Sequence, residues 1–102
     1  MKFKPVTHPD GAPYGVRWDC PGCDMPHVVP IAGSNAWGFN GDMDRPTLTP
    51  SVLVYPGHRL NDAGERVATP RCHVFIRDGR IEFLGDCEHA LAGQTVDVPE
   101  VA

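Results

Sequence analysis

The sequence predicts a mostly β domain, a small α+β fold with at most one or two short helices. Eleven glycines and eleven prolines in 102 residues break any long helix and demand frequent turns. The apolar residues fall instead into short β-branched and aromatic runs bounded by Gly, Pro, Asn and Asp. Between two such runs stands Cys20-Pro21-Gly22-Cys23. A strand, a Cys-Pro-Gly-Cys turn and a returning strand form the layout of a zinc knuckle.

Taken in order, residues 1–13 hold three prolines and few apolar side chains, and read as an irregular N-terminal arm. A single zinc-binding, β-rich domain over 14–102 follows it. Tyr14–Asp19 is a strand into the Cys20-x-x-Cys23 turn, and His27–Ile31 is the strand that leaves it. Trp37-Gly38-Phe39 begins another short strand, and Asn40-Gly41-Asp42 is a turn. Thr47–Tyr55 is β-rich, but Pro50 donates no hydrogen bond, which puts this strand at an edge or a bulge at Pro50. Residues 56–71 read as a polar loop with room for a small hairpin. Glu88–Leu91 reads as one helical turn ended by Gly93, and Thr95–Val98 as a last strand. Trp18, Trp37 and Phe39 supply the core.

The C-terminal β-hairpin from Cys72 to Leu84 is the strongest local signal, because Asp78-Gly79 is a two-residue type I′ turn between apolar runs. Such a turn sets the register, so Arg77 faces Arg80, Ile76 faces Ile81, Val74 faces Phe83 and His73 faces Leu84. Strand parity then puts Cys72, Val74 and Ile76 on one face with Ile81, Phe83 and, if the strand continues, Cys87. His73, Phe75, Glu82, Leu84 and Asp86 take the other face, with His73 and Asp86 as diagonal neighbours.

Composition narrows the function. Hydrophobic residues at 41% and charged residues at 22% argue for a folded domain. A net charge of -4 argues against a general nucleic-acid binder, although Arg59, Arg66, Arg71, Arg77 and Arg80 form a possible local patch. No run approaches the roughly 20 apolar residues that span a bilayer, and the N-terminus lacks the apolar stretch of a secretory signal. The expected location is the cytoplasm, where thiols stay reduced and four cysteines point to metal rather than disulfides.

The metal set expected from the sequence is Cys20, Cys23, Cys72 and Cys87 around zinc, with His27, His73 or His89 as replacements for a cysteine. His27 otherwise reads as a partly exposed strand residue, and His8 and His58 as exposed loop residues. A second constellation joins His73, Asp86 and His89, since a carboxylate on one imidazole nitrogen raises the basicity of the other. Thr47, Thr49 and Ser51 share a face by parity, and any of them can offer a hydroxyl to His73 in a Ser/Thr–His–Asp arrangement. The candidate catalytic residues are therefore His73, Asp86, His89 and Ser51, with Glu82 or Glu88 as further bases.

Cys20-Pro21-Gly22-Cys23, Trp37–Asp42, Pro46–Ser51 and the block from Cys72-His73 through Asp86-Cys87-Glu88-His89 to Gly93 resemble a family of small Cys/His-rich phage and prophage proteins. Its members often carry the name "ammonia monooxygenase", a membrane-embedded copper enzyme that a chain without a membrane segment does not match. More distant relatives share the Cys-rich turn, the Pro-Ser pair and the Cys-His pair, and some stand beside bacterial ubiquitin-like conjugation genes. The resemblance implies a zinc-dependent hydrolase, a peptidase or isopeptidase acting on a ubiquitin-like or other protein substrate in the host cytoplasm. HExxH is absent, so no known metallopeptidase mechanism carries over. Within that expectation, either water replaces Cys72 or Cys87 on a catalytic zinc, or the thiolate site is structural and the histidine face does the chemistry. The alternative function is a structural zinc module that binds a host protein partner through Trp37 and the 56–71 loop.

Overall fold

The computed structural model describes residues 1–101 and holds only strands and turns among them. In chain order the strands are β1 (Lys4–Thr7), β2 (Pro13–Cys20), β3 (Met25–Pro30), β4 (Gly38–Phe39), β5 (Leu48–Thr49), β6 (Val52–Val54), β7 (Gly57–Leu60), β8 (Arg66–Thr69), β9 (Cys72–Arg77), β10 (Arg80–Phe83) and β11 (Thr95–Asp97). They form a sheet ordered β1-β2-β3, a second ordered β11-β10-β9-β6, and the two-stranded pairs β4-β5 and β7-β8.

The first sheet follows from alternation in β2. Val16, Trp18 and Cys20 turn inward while Arg17 and Asp19 stay exposed. β3 answers with His27 and Val29 inside and Val28 outside. The second sheet follows from the Asp78-Gly79 turn, whose residues have φ 49° and 77°, the left-handed values a type I′ turn requires. The expected register is observed, with Arg80 opposite Arg77, Ile81 opposite Ile76 and Phe83 opposite Val74. Cys72, Val74, Ile76, Ile81 and Phe83 are buried on one face, and His73 and Phe75 are half-buried on the other.

The inner faces of both sheets meet in one cluster that includes Phe3, Val16, Trp18, Val29, Val74, Ile76, Ile81 and Phe83. Burying each such aliphatic or Phe side chain contributes about 1.5–3 kcal/mol. Phe3 stacks on Trp18 with ring centroids 5.2 Å apart. Trp37 and Phe39 are partly buried against the cluster.

Three expectations change. The N-terminal arm is not irregular: Lys4–Thr7 pairs with β2, and Phe3 is fully buried. Pro5 is tolerated because β1 is an edge strand. Glu88–Leu91 forms turns rather than a helical turn. His27 is buried at 6% exposure, edge-on to Trp18, because parity in β3 turns it inward with Val29. His8 and His58 are exposed. Pro50 interrupts the 47–55 run between β5 and β6, through a cis Thr49–Pro50 peptide, and residues 57–69 form the small hairpin.

Candidate functional site

Two groups of side chains lie back to back across β9. On the buried side, Cys20 ends β2, Cys23 sits in the following turn, Cys72 opens β9 and His89 comes from the turns after β10. One ligand atom from each lies within 4.8 Å of the other three. The Cys20 and Cys72 sulfurs are 3.9 Å apart. Two thiolates each about 2.3 Å from a tetrahedral zinc stand roughly 3.8 Å apart, so the spacing fits an ion between them.

Electrostatics supports the same reading. The hydrogen bond shared with Cys72 holds the Cys20 thiol down to about 4, and the same bond pushes Cys72 far above the ordinary thiol range. Burial pushes Cys23 up to about 12. Three close thiols thus compete, one ionising at the expense of the others, and a divalent cation removes that conflict. His89 completes the set. Its ring stands edge-on to Phe83 with centroids 4.8 Å apart, and its Nε2 is buried without a hydrogen-bond partner among the described residues. Gly22 makes room for it, since a Cβ there would overlap the ring. The Leu91 amide lies 3.2 Å from Nδ1.

Cys87 does not join this group. β10 ends at Phe83, and the Cys87 amide donates to the Leu84 carbonyl at 3.2 Å in a turn. The parity that would carry Cys87 to the Cys72 face is lost there. Its sulfur instead accepts the His73 amide at 3.3 Å, and its S–H donates to the His73 carbonyl at 3.3 Å. The adjacent residue adds a second strap, because Glu88 accepts the Arg71 amide at 2.8 Å and its own amide donates to the Arg71 carbonyl at 3.0 Å.

On the outer face, the His73 ring bridges a carboxylate and a hydroxyl. Nδ1 lies 3.1 Å from Asp86 Oδ2, and Nε2 lies 3.3 Å from Ser51 Oγ. An ionised carboxylate only accepts, so Nδ1 carries the proton and Nε2 is left to accept from the Ser51 hydroxyl. The Trp37 Nε1–H donates to the Ser51 carbonyl at 3.2 Å and holds the residue in place. Of the three hydroxyls considered, Ser51's meets His73, whereas Thr47 Oγ1 accepts the Asp78 amide at 2.9 Å. His89 stands with the thiols, not with His73 and Asp86. Glu82 is paired with Arg77 at 3.0 Å. Beside Ser51, on the same face, a shallow cavity of about 330 Å³ is lined by residues including Thr49, Pro50, Phe75 and Arg77.

The Cys87 clamp and the Trp37 bond carried no signal in the sequence, because both run between a side chain and a distant backbone group.

Residues 4–84 match the family described as the bacterial ubiquitination-like system serine protease (BubE). The matched span holds Cys20, Cys23, Ser51, Cys72 and His73, while Asp86 and His89 follow it. No curated protein and no solved structure matches the chain. With most of its length covered, the chain belongs to the BubE family.

Proposed function

We propose that this member of the BubE family is a serine protease acting on a protein substrate of a ubiquitination-like system, with Ser51 as nucleophile, His73 as general base and Asp86 as the group that orients it. The observation that carries the reading is the His73 ring hydrogen-bonded on one side to Asp86 and on the other to Ser51. In this arrangement Ser51 Oγ attacks the scissile carbonyl while His73 Nε2 takes its proton. The imidazolium, stabilised by Asp86, then protonates the leaving amine, and water releases the acyl group by the same route in reverse.

Zinc is the ion that the Cys20, Cys23, Cys72 and His89 donors suit, as a structural Cys3His site. Four protein donors close a tetrahedral sphere and leave no position for water. Zinc held by these residues would therefore support the scaffold, and the chemistry is assigned to the histidine face without His89. Of the two arrangements expected from the sequence, this reading takes the one in which the thiolate site is structural.

A fluorophosphonate probe tests the assignment. The zinc-loaded protein should become covalently labelled on Ser51, located by peptide mass mapping. Ser51→Ala should abolish labelling, and His73→Ala should slow it by about 10⁴-fold or more, the range seen when a triad loses a member. Asp86→Asn should slow it by a similar order by trapping the wrong tautomer. A folded, zinc-loaded protein that never reacts, or a Ser51→Ala protein that labels as fast as the original, would overturn the protease reading in favour of a binding module.

A further inference from the structure

The strand that follows the nucleophile has an open edge. β6 is the outermost strand of its sheet, paired only with β9. Which of its backbone groups face outward follows from the hairpin. Arg77 and Arg80 flank the two-residue turn and form a hydrogen-bonded pair, so residues 73, 75 and 77 direct their N–H and C=O groups toward β10. The Leu84 amide donating to the His73 carbonyl at 2.9 Å confirms that phase. Cys72 and Val74 therefore bond to β6, through Val54 and Val52. Leu53, opposite His73, directs its N–H and C=O away from the sheet. Its backbone makes no hydrogen bond among the described residues.

Parity also places the side chains of Ser51, Leu53 and Tyr55 on the His73 face. Leu53 is 38% exposed and Tyr55 73% exposed. An unpaired donor and acceptor, next to a reactive hydroxyl and flanked by exposed apolar side chains, match how a sheet edge captures an extended chain. A helix or an interior strand has already used its own backbone groups and cannot pair here.

We infer that the β6 edge is the substrate-docking strand: an extended polypeptide segment, with apolar side chains at alternate positions, pairs through the Leu53 N–H and C=O and so lays its scissile carbonyl against Ser51. This deepens the protease reading and rests on it.

The test uses the zinc-loaded full chain with a library of unstructured, fluorescence-quenched decamer peptides, alongside fluorophosphonate labelling as a separate measure of Ser51. The best-cleaved decamer is then resynthesised with single backbone N-methyl groups at each position. Strand pairing predicts a period-two profile, with kcat/KM reduced about tenfold or more where the methyl group replaces an amide that reaches Leu53, and little change at alternate positions. A flat profile, or no decamer cleaved by protein that labels normally, would overturn the edge inference while leaving the triad standing. Failure of labelling itself would instead remove the triad.

Leu53→Pro gives a second reading, because it deletes an outward N–H that β9 does not use. Its cleavage of the decamer, divided by its own labelling rate, should fall about tenfold, mainly through KM. If that ratio stays at the original value, the inference fails. It also fails if the chain sediments as a dimer that Leu53→Pro dissociates, since the edge then belongs to a second copy.

Discussion

Cys87 is the residue whose role departs furthest from its chemistry. A buried thiol near three others invites assignment as a metal ligand, yet its sulfur grips the peptide groups on both sides of the His73 side chain. In the proposed triad it is a positioning residue for His73. Cys87→Ser keeps a donor and an acceptor at that point, and Cys87→Ala removes both. Ser51 labelling by a fluorophosphonate should fall about tenfold in the alanine variant, from a net loss of about 1–2 kcal/mol of bonding. The serine variant should recover most of it. Zinc content should stay at the original value in both, and a zinc-free Cys87→Ala protein would return Cys87 to the ligand set. His89 shows the converse. In sequence it stands near Asp86 and reads equally well as base or ligand, and only the Gly22 gap and the Phe83 ring wall direct it to the thiols.

At the scale of the element, the β9–β10 hairpin arranges both sites. Alternation along β9 sends Cys72 inward to the thiols and His73 outward to Ser51 and Asp86, so one strand presents the candidate metal cluster and the proposed triad on opposite faces. Asp78-Gly79 sets that alternation. Gly79 has φ 77°, and a Cβ there would meet the Arg45 Cα at 3.3 Å. Gly79→Ala should lower stability by about 1–2 kcal/mol, read from the urea midpoint, because a left-handed backbone disfavours a side chain. Below the transition its Ser51 labelling should match the original, since the register is held by Ile76, Ile81 and the other paired residues as well. A labelling defect without a stability loss would mean that the turn acts on the site directly. This hairpin was legible in the sequence down to the residue pairs, because turn chemistry and a period of two are local properties. β1 was not legible, because the three prolines of residues 1–13 signal irregular chain, and only the fit of Phe3 against Trp18 shows why it folds back.

Across the whole molecule, the metal donors come from both sheets. Cys20 and Cys23 belong to the β2–β3 turn, while Cys72 and His89 come from the start of β9 and the turns after β10. An ion held there would cross-link segments far apart in the chain and fix the turn that carries Asp86. Removing zinc with a strong chelator should therefore lower the thermal midpoint by at least about 10 °C, which corresponds to a loss of roughly 2 kcal/mol or more. Ser51 labelling should fall with it, since Asp86 and His73 each stand beside a segment that the ion ties down. A metal-free protein with an unchanged midpoint would remove the structural role.

The sequence by itself determined the β class, the hairpin register, and the separation of Cys72 from His73 on β9. Each of these follows from periodicity or a short turn, which depends on neighbours a few residues away. Tertiary structure decided that Ser51 is the hydroxyl facing His73, that His89 displaces Cys87 among the thiols, and that Leu53 looks out from an open edge. Those outcomes depend on where β6 docks on β9 and where β10 ends. Both are settled by packing between segments that local pattern leaves unrelated.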